Sequence, residues 1–182
     1  ASRASMEFRV FLYLVIIFSA VFHEFMHGWM ANYLGDPTAK YAARLTLNPI
    51  PHIDLFGSIL VPALLIITNS PILFGWAKPV PVNPHNLRGA YGSAKVSFAG
   101  PGANLAIALV FGLLLRFFSF PISEFSPDLV VFFSRIVQLN LALAIFNLLP
   151  IPPLDGSHIL FDFLPRSLSY IQDFLSRMPI TD

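Results

Sequence analysis

Four apolar stretches alternate with polar, proline-bearing segments along the chain. The first runs from about Val10 to Leu34, the third from about Ala94 to Phe120 and the fourth from about Leu129 to Leu149. Each is long enough to cross a bilayer as a helix, which takes about 20 mainly apolar residues. The second, from Leu55 to about Phe74, is interrupted by glycine and proline, so it predicts either a kinked span or a re-entrant hairpin.

Two further segments complete the predicted architecture. Residues 75–95 contain the run Gly-Trp-Ala-Lys-Pro-Val-Pro-Val-Asn-Pro, which cannot lie inside a helix and predicts an extended segment suited only to a sheet edge. The tail 157–182 is mildly amphipathic and is broken by Pro165, a pattern typical of an interfacial position. We therefore expect an all-α polytopic membrane protein with about four to six membrane segments and a short extended, β or re-entrant element between the first helix and the third.

Composition supports a membrane protein and narrows the chemistry. Hydrophobic residues make up 55% of the chain and charged residues 12%, and the mean hydropathy of +0.69 is outside the usual range of a soluble domain. The net charge is only +1 and no lysine- or arginine-rich run occurs, so nothing indicates a nucleic-acid partner. Cysteine is absent, which excludes disulfides and thiolate ligands and leaves His, Asp and Glu as strong metal ligands.

The first apolar stretch contains an H-E-x-x-H sequence, His23-Glu24-Phe25-Met26-His27. On a helix the two histidines project from one face and can reach a single zinc ion, and Glu24 lies beside them. An ionisable side chain at the bilayer centre costs about 2.5–3.5 kcal/mol, so this cluster needs a metal, a partner or a water-filled cavity. The alternative is a chance motif on a soluble amphipathic helix, which the apolar composition disfavours.

Two histidines leave a catalytic zinc one protein ligand short, since such sites usually have three. Asp155 is the candidate for the third, because it follows the fourth apolar stretch in a proline-rich context that is tolerated at membrane depth only when buried or lining a cavity. The alternative for Asp155 is a turn residue in Leu-Asp-Gly at the membrane surface. His158 is a weaker candidate ligand, because a carboxylate commonly completes a pair of histidines in hydrolases.

Other polar residues in or near the apolar stretches have two alternative roles each. Asn104 and Asn147 lie in predicted spanning helices, where an amide either hydrogen-bonds a neighbouring helix or reaches a substrate carbonyl. His52 and Asp54 either fix a loop near the site or are ordinary interfacial polar residues. The residues alone do not decide between these roles.

Five motifs in order along the chain resemble those of the site-2 protease family of intramembrane zinc metalloproteases, in particular its short branch without PDZ or CBS domains. The motifs occupy His23–His27, Leu45–Gly57, Phe74–Asn83, Ala99–Asn104 and Phe146–Gly156. The resemblance covers about residues 20–165, and five ordered motifs are far more specific than one. Members of this branch usually continue into a further spanning helix after Leu-Asp-Gly, so we expect the chain, which stops at Asp182, to be a truncated form.

The resemblance implies a zinc-dependent metalloendopeptidase that hydrolyses peptide bonds within or near transmembrane helices of membrane-protein substrates, in regulated intramembrane proteolysis. It implies that residues 1–182 form a single membrane-embedded metalloprotease domain, with a catalytic core of about 8–165 and an interfacial tail. The implied site consists of His23, His27 and Asp155 as ligands of one Zn²⁺ per chain, Glu24 as catalytic base, and Asn104 and Asn147 near the substrate carbonyl. In this scheme Asn104 stabilises the developing oxyanion.

A transmembrane substrate hides its scissile bond within its own helical hydrogen bonds, so it must unwind locally before cleavage. We expect the stretch from Trp76 to Val82, including Val80, to hold the unwound strand by edge pairing, within the limits that its prolines set. Basic residues are more numerous on the face nearest the expected ligands, so the positive-inside rule predicts a zinc site nearer the cytoplasm in a multi-pass cell-membrane protein.

The rival function is a zinc-binding membrane transporter or sensor without proteolysis. Glu24 separates the two, because a hydrolase needs an acid beside the first histidine as a base and a transporter has little need of one. The expected partners are the lipid bilayer and transmembrane-helix substrates, and the sequence leaves homo-oligomers open.

Overall fold

The computed structural model describes residues 3–68, 70 and 74–164, and this part of the chain is helical and contains no β-strand. The α-helices are α1 (Arg3–Tyr33), α2 (Thr38–Tyr41), α3 (Val61–Ile67), α4 (Gly92–Phe125), α5 (Pro127–Asn147) and α6 (Asp155–Phe163). A π-helix, Leu55–Leu60, leads directly into α3, and 3₁₀ turns lie at Ile50–His52 and Pro84–Asn86. The helical class predicted from the sequence is confirmed for these residues.

In the part of the chain that the structure describes, three helices are long and apolar enough to cross a membrane, namely Met6–Tyr33, Gly92–Phe118 and Pro127–Asn147. They correspond to the first, third and fourth apolar stretches, which are therefore confirmed as helices. The helices α1 and α4 extend beyond the apolar stretches that predicted them, because backbone hydrogen bonding continues into the flanking, more polar turns. Hydrophobicity marks the membrane part of a helix and not its ends.

The second apolar stretch forms the π-helix and α3, Leu55–Ile67, which at 1.5 Å per residue is about 20 Å long. A hydrocarbon core is about 30 Å thick, so this helix alone does not cross it. Asp54 caps its start by accepting hydrogen bonds from the N–H groups of Phe56 at 3.0 Å and Gly57 at 2.6 Å. Residues 74–83 form no helix and pair with no strand among the described residues. A count of four to six membrane segments stays a prediction.

The core lies where α4 packs against α1, α5 and α6. Small buried side chains, including Ala31, Ala99, Ala103 and Ala144, let the helix backbones approach closely. Large apolar side chains such as Phe18 are exposed on the outside of the bundle, as expected for a surface in contact with lipid. Packing between helices therefore depends on small residues, and large residues face outward.

Two contacts at the C-terminal end of α6 hold it against the start of α4. Asp162 Oδ2 accepts a hydrogen bond at 2.7 Å from the backbone N–H of Ala94, in the first turn of α4, where N–H groups lack intrahelical partners. The rings of Tyr91 and Phe163 stack with their centroids 4.6 Å apart. The first residue of α6, Asp155, is thereby held beside α4. Of the predicted interfacial tail, residues 165–182 lie outside the described part of the chain.

Candidate active site

Two histidines of α1 and the first residue of α6 meet in one cluster. The Nε2 atoms of His23 and His27 lie 2.9 Å apart. Asp155 Oδ2 lies 3.2 Å from His23 Nε2, and Asp155 Oδ1 lies 3.4 Å from His27 Nε2. Both histidines are buried. The fold thus brings together the three residues expected from the sequence to be metal ligands.

The hydrogen bonds of the imidazoles direct their Nε2 lone pairs into the cluster. His27 Nδ1 lies 2.8 Å from the carbonyl oxygen of Val96, and because a carbonyl can only accept, this Nδ1 carries the proton. His23 Nδ1 lies 2.6 Å from Asn104 Oδ1 in the corresponding position. Asp155 Oδ2 is buried and has no hydrogen-bond partner within residues 3–68, 70 and 74–164. Two lone pairs and a carboxylate therefore converge without a proton to share, an arrangement that a divalent cation satisfies.

The spacing of these ligand atoms suits zinc. Tetrahedral coordination with bonds of 2.0–2.2 Å places ligand atoms about 3.3 Å apart. The two Nε2 atoms are 2.9 Å apart, and each has an Asp155 oxygen nearby, Oδ2 at 3.2 Å from His23 and Oδ1 at 3.4 Å from His27. Gly100 of α4 leaves room for this geometry, because a Cβ at that position would lie 2.6 Å from His23 Nε2 and would overlap His27. A set of three protein ligands, two imidazole nitrogens and one carboxylate oxygen, is typical of a catalytic zinc site.

Asp155 reaches the cluster because of the way the chain enters α6. It is the first residue of that helix, and the next residue, Gly156, packs so closely on the carbonyl of Leu148 that a side chain there would overlap it. A surface turn residue, the alternative considered for Asp155, would not contact two buried imidazoles. His158 lines the same cavity but does not belong to the group of converging ligand atoms found among the described residues.

Glu24 lies next to the cluster on α1 and lines, with the three ligands, a cavity of about 640 Å³. Its Oε2 accepts a hydrogen bond from the backbone N–H of Val80 at 2.8 Å. This contact joins α1 to the extended segment 74–83 and leaves Oε1 for water or substrate. The sequence indicated the carboxylate but not the N–H that orients it.

The two asparagines predicted near the substrate carbonyl have different surroundings. Asn104 is fully buried, and its amide nitrogen donates to Asn140 Oδ1 at 2.9 Å and lies 3.5 Å from a carbonyl of α1. Among the described residues, both N–H groups of Asn104 thus have an acceptor and its Oδ1 contacts His23, so although it lines the cavity it has no N–H left to donate there. Its role as oxyanion donor stays a prediction, and these contacts do not favour it. Asn147 lines the cavity and donates one N–H to Leu143 O at 2.9 Å.

The three residues predicted to bind substrate also line the cavity. Val80 is buried and its side chain lies against Gly28, whereas Trp76 is 43% exposed and its ring covers Gly57. Val82 is half-buried further along the segment. Their contact with a substrate is a proposal.

Polar side chains hold the extended segment in place. Buried Arg44 donates from Nη2 to Lys78 O at 2.6 Å, and the Lys78 N–H donates to the His52 carbonyl at 2.9 Å. Ser58 Oγ donates to Trp76 O at 2.8 Å. The side chain of His52 contacts the Thr46 carbonyl within its own loop, with Nε2 at 2.9 Å, in line with the loop-fixing alternative considered for it. Arg44 and Ser58 were missed, because a basic residue in a polar loop and a serine in an apolar stretch are common without such a role.

Asp36, shortly after the end of α1, anchors the far end of the segment. It is fully buried; Oδ2 accepts the N–H of Asn83 at 2.7 Å, and Oδ1 accepts Asn86 Nδ2 at 2.9 Å and the hydroxyl of Thr38. Burial acts to raise the pKa of Asp36, but the hydrogen bonds from Thr38, Asn86 and Asn83 outweigh it and lower the pKa below its ordinary value of 3.8. The side chain is therefore ionised at neutral pH.

Comparisons with known proteins agree with this geometry. A family model described as Peptidase family M50 matches residues 121–176. A Bacillus subtilis (strain 168) protein named as a zinc metalloprotease, YwhC, is 42% identical over 160 residues, which cover 85% of this chain and 69% of that protein. Rip2 of Mycolicibacterium smegmatis, also named as a zinc metalloprotease, is 34% identical over 143 residues, which cover 77% of this chain and 52% of Rip2. No solved structure gives a significant match.

The chain spans about half to two thirds of the length of these relatives. Its identity with YwhC extends over most of both chains, and the ligand set of a zinc hydrolase is assembled among helices that can cross a membrane. The chain therefore belongs to peptidase family M50, the site-2 protease family, and is an integral membrane zinc metalloendopeptidase.

Proposed function

We propose that the protein hydrolyses peptide bonds within or near transmembrane helices of membrane-protein substrates, as an enzyme of regulated intramembrane proteolysis. The observation that carries the proposal is the position of the ligand cluster and Glu24 in one cavity, on a helix that can span the bilayer. A hydrolytic site on such a helix is within reach of the membrane part of a substrate.

His23, His27 and Asp155 would hold the zinc ion, which when bound supplies a Lewis acid that acidifies water and polarises a carbonyl. Glu24 accepts the proton of the attacking water through Oε1, because the Val80 N–H holds Oε2. The same carboxyl group then delivers the proton to the leaving amine. The chain thus provides an oriented acid–base group directly beside the metal ligands.

Asn147 is the better placed of the two asparagines to contact the substrate carbonyl. Both asparagines line the cavity, but only one of the two amide protons of Asn147 has a partner among the described residues, whereas the amide nitrogen of Asn104 faces two acceptors. A donor aimed at a developing oxyanion contributes roughly 3–4 kcal/mol in other hydrolases. We therefore assign this role to Asn147 in the proposed mechanism.

The extended segment offers a substrate a backbone edge of defined polarity. The N–H groups of Trp76, Lys78 and Val80 each donate to an acceptor within the protein. Because backbone groups alternate in an extended chain, those of residues 77, 79 and 81 point the other way. Pro79 and Pro81 have no N–H, so the free edge at these three positions carries three carbonyls and one N–H.

An unwound substrate should therefore bind this edge chiefly by donating its own N–H groups, with Trp76, Val80 and Val82 contacting its side chains. N-methylation at alternate substrate positions beside the scissile bond should slow cleavage by roughly 3- to 10-fold per lost hydrogen bond. N-methylation at the intervening positions is the control. Equal losses at both sets of positions would contradict edge pairing.

We also propose that the zinc site lies nearer the cytoplasm. The loop between α1 and α4, which is next to the cluster, carries basic residues, in line with the positive-inside rule. The chain has no native cysteine, so single cysteines report topology cleanly. A membrane-impermeant maleimide added to intact cells should label Asp128→Cys, at the start of α5, and not Lys40→Cys in α2. The reverse pattern would place the site nearer the outside.

The decisive experiment compares the purified protein with its Glu24→Gln variant on a labelled single-span membrane substrate in detergent, with bound zinc measured for both. Cleavage by the parent alone, with zinc retained by both, is the result expected of a protease with Glu24 as base. The rival transporter or sensor predicts zinc in both proteins and cleavage by neither. Transport of zinc into vesicles by the parent would then support that rival.

A further inference from the structure

A continuous chain of side-chain hydrogen bonds crosses the three long helices and ends at a metal ligand. Asn140 of α5 donates from Nδ2 to the Ile136 carbonyl at 2.9 Å. Asn104 of α4 donates from Nδ2 to Asn140 Oδ1 at 2.9 Å, and Asn104 Oδ1 lies 2.6 Å from His23 Nδ1 of α1. Both asparagines are fully buried, so water does not compete for these contacts.

The donor and acceptor of every hydrogen bond in this series follow from the first bond, between Asn140 and the Ile136 carbonyl. A backbone carbonyl can only accept, so the atom of Asn140 next to Ile136 O must be the nitrogen, and its oxygen must face Asn104. That oxygen also only accepts, so Asn104 turns its nitrogen to Asn140 and its oxygen to His23. His23 must then donate from Nδ1, which leaves the Nε2 lone pair for the cluster with Asp155.

We propose that Asn140 is a positioning residue for zinc binding, which acts through Asn104 to fix the tautomer and ring orientation of His23. The opposite tautomer would place a proton on Nε2, where the metal binds, and a lone pair on Nδ1 against Asn104 Oδ1. Removal of outer partners of metal-binding histidines typically costs 10- to 100-fold in affinity. The inference rests on the metal-binding role of His23 and not on the proposed substrate.

The two histidine ligands differ in this respect. His27 donates to the main-chain carbonyl of Val96, a partner that no side-chain substitution removes. His23 depends on two side chains from two other helices. Helix α5, which contributes no ligand to the cluster, thereby influences the metal site through Asn140.

The test measures zinc affinity by chelator competition for Asn140→Leu, Asn104→Leu and the double variant, each in the full chain. We expect Asn140→Leu to bind zinc about tenfold more weakly and Asn104→Leu at least as weakly. The double variant should be no more than about twofold weaker than Asn104→Leu alone, because the effect of Asn140 passes through Asn104. Ser134→Ala is the matched control, since this hydroxyl on the same helix bonds only its own helix, at Val130 O.

A second measurement reads the tautomer of His23 directly. Imidazole ¹⁵N shifts of the metal-free parent should report His23 as the Nδ1–H tautomer, and Asn140→Leu should give a mixture. An Nε2–H tautomer in the parent would overturn the proposal, as would unchanged zinc affinity in Asn140→Leu. The proposal would also be overturned if the fold-losses in zinc affinity of the two single variants multiplied in the double variant. Such a result would indicate two separate effects on helix packing. If the parent cleaves no substrate but Asn140→Leu still binds zinc more weakly than the parent, this inference is supported and the proposed function fails.

Discussion

The two sides of the cavity differ in what holds them in place. One side, the ligand side, consists of His23, His27 and Asp155, which regular helices position against Gly100. The other, the loop side, is the extended segment 74–83, which has no regular structure and depends on polar side chains from elsewhere in the chain. The only described hydrogen bond that directly joins Glu24 to this segment is the one from the Val80 N–H.

This difference predicts two classes of defect. A change on the ligand side should weaken zinc binding and abolish activity together, because helix geometry sets the positions of the ligands. A change on the loop side should reduce activity and leave zinc affinity unchanged, because no residue of the segment is a ligand. Zinc affinity measured beside activity therefore separates the two sides.

The largest expected effect is that of Gly100→Ala on the ligand side. The added Cβ would lie 2.6 Å from His23 Nε2 and overlap His27, so at least one imidazole must move. Zinc affinity should fall by more than about 100-fold, beyond the loss from removing an outer partner alone. Chelator competition measures this affinity, and cleavage should disappear with it.

Gly102→Ala is the matched control for this change. A Cβ at Gly102 meets only the Phe98 ring, at 3.4 Å and beyond, which is ordinary contact. Its zinc affinity should match that of the parent. Equal zinc binding by both glycine variants would show that zinc affinity tolerates displacement of the imidazoles. The predicted difference in zinc affinity between changes on the two sides would then be wrong.

The next largest effect should come from Val80→Pro on the loop side. Proline lacks the N–H that donates to Glu24 Oε2, and a hydrogen bond to a charged group contributes about 1.5–3 kcal/mol. We expect kcat to fall by about 10- to 100-fold, with zinc affinity unchanged. Val80→Ala keeps the N–H, so it serves as control for this hydrogen bond: it should retain most of kcat, and the loss of a side-chain contact with substrate should appear in KM. A loss of zinc from the proline variant would mean that the two sides are not separable.

The ligand side could be predicted from the sequence to a large extent. His23 and His27 are related by local helix geometry, which the sequence spacing fixes, and the apolar context marked the helix as one that spans the membrane. The residues alone left Asp155 open between a metal ligand and a turn residue, and only the resemblance to a family favoured the ligand. The reason is that the fold, and not local spacing, brings α6 to α1. Asn140 was missed, although its position two helical turns before Asn147 places both on one face of α5.

The loop side could be predicted much less well. Its prolines excluded a helix, but the irregular path is set by long-range contacts from Arg44, Ser58 and Asp36, which have no periodic pattern in the sequence. The segment was expected at a sheet edge, yet the described residues contain no strand for it to join. Side chains, together with the carbonyls of Gly57 and His52, replace a neighbouring strand as partners of its backbone.

A smaller effect is expected for Asp36→Asn. Both carboxylate oxygens of Asp36 accept hydrogen bonds, one from the Asn83 N–H and the other from Thr38 and Asn86. An asparagine replaces one of these oxygens by an NH₂ group, so at least one of the donors then faces another donor. Stability should fall by about 1–3 kcal/mol and activity by up to about tenfold, with zinc affinity retained. Thermal unfolding and cleavage assays in detergent measure these losses.

Asp54→Asn is the isosteric control for this variant. The Oδ1 atom of Asp54 alone accepts the N–H groups of Phe56 and Gly57, so an asparagine can make the same contacts. The stability of Asp54→Asn should fall only by the contribution of a negative charge at a helix N-terminus, about 0.3–1 kcal/mol. If the two variants lose equal stability, the charge and not the pair of accepting oxygens anchors the segment.

The smallest expected effect is the pH dependence of this anchor. Hydrogen bonds lower the pKa of Asp36 in the folded protein, so its contribution to stability is fully present above the pKa of the unfolded chain, about 3.9, and is lost as the pH falls through the folded-state value. The difference in thermal stability between the parent and Asp36→Asn should therefore be constant from pH 7 to about pH 5 and should shrink below about pH 4. A difference that grew on acidification would mean that the carboxyl group is bound in its protonated form, and the loop side would then not depend on an ionised anchor.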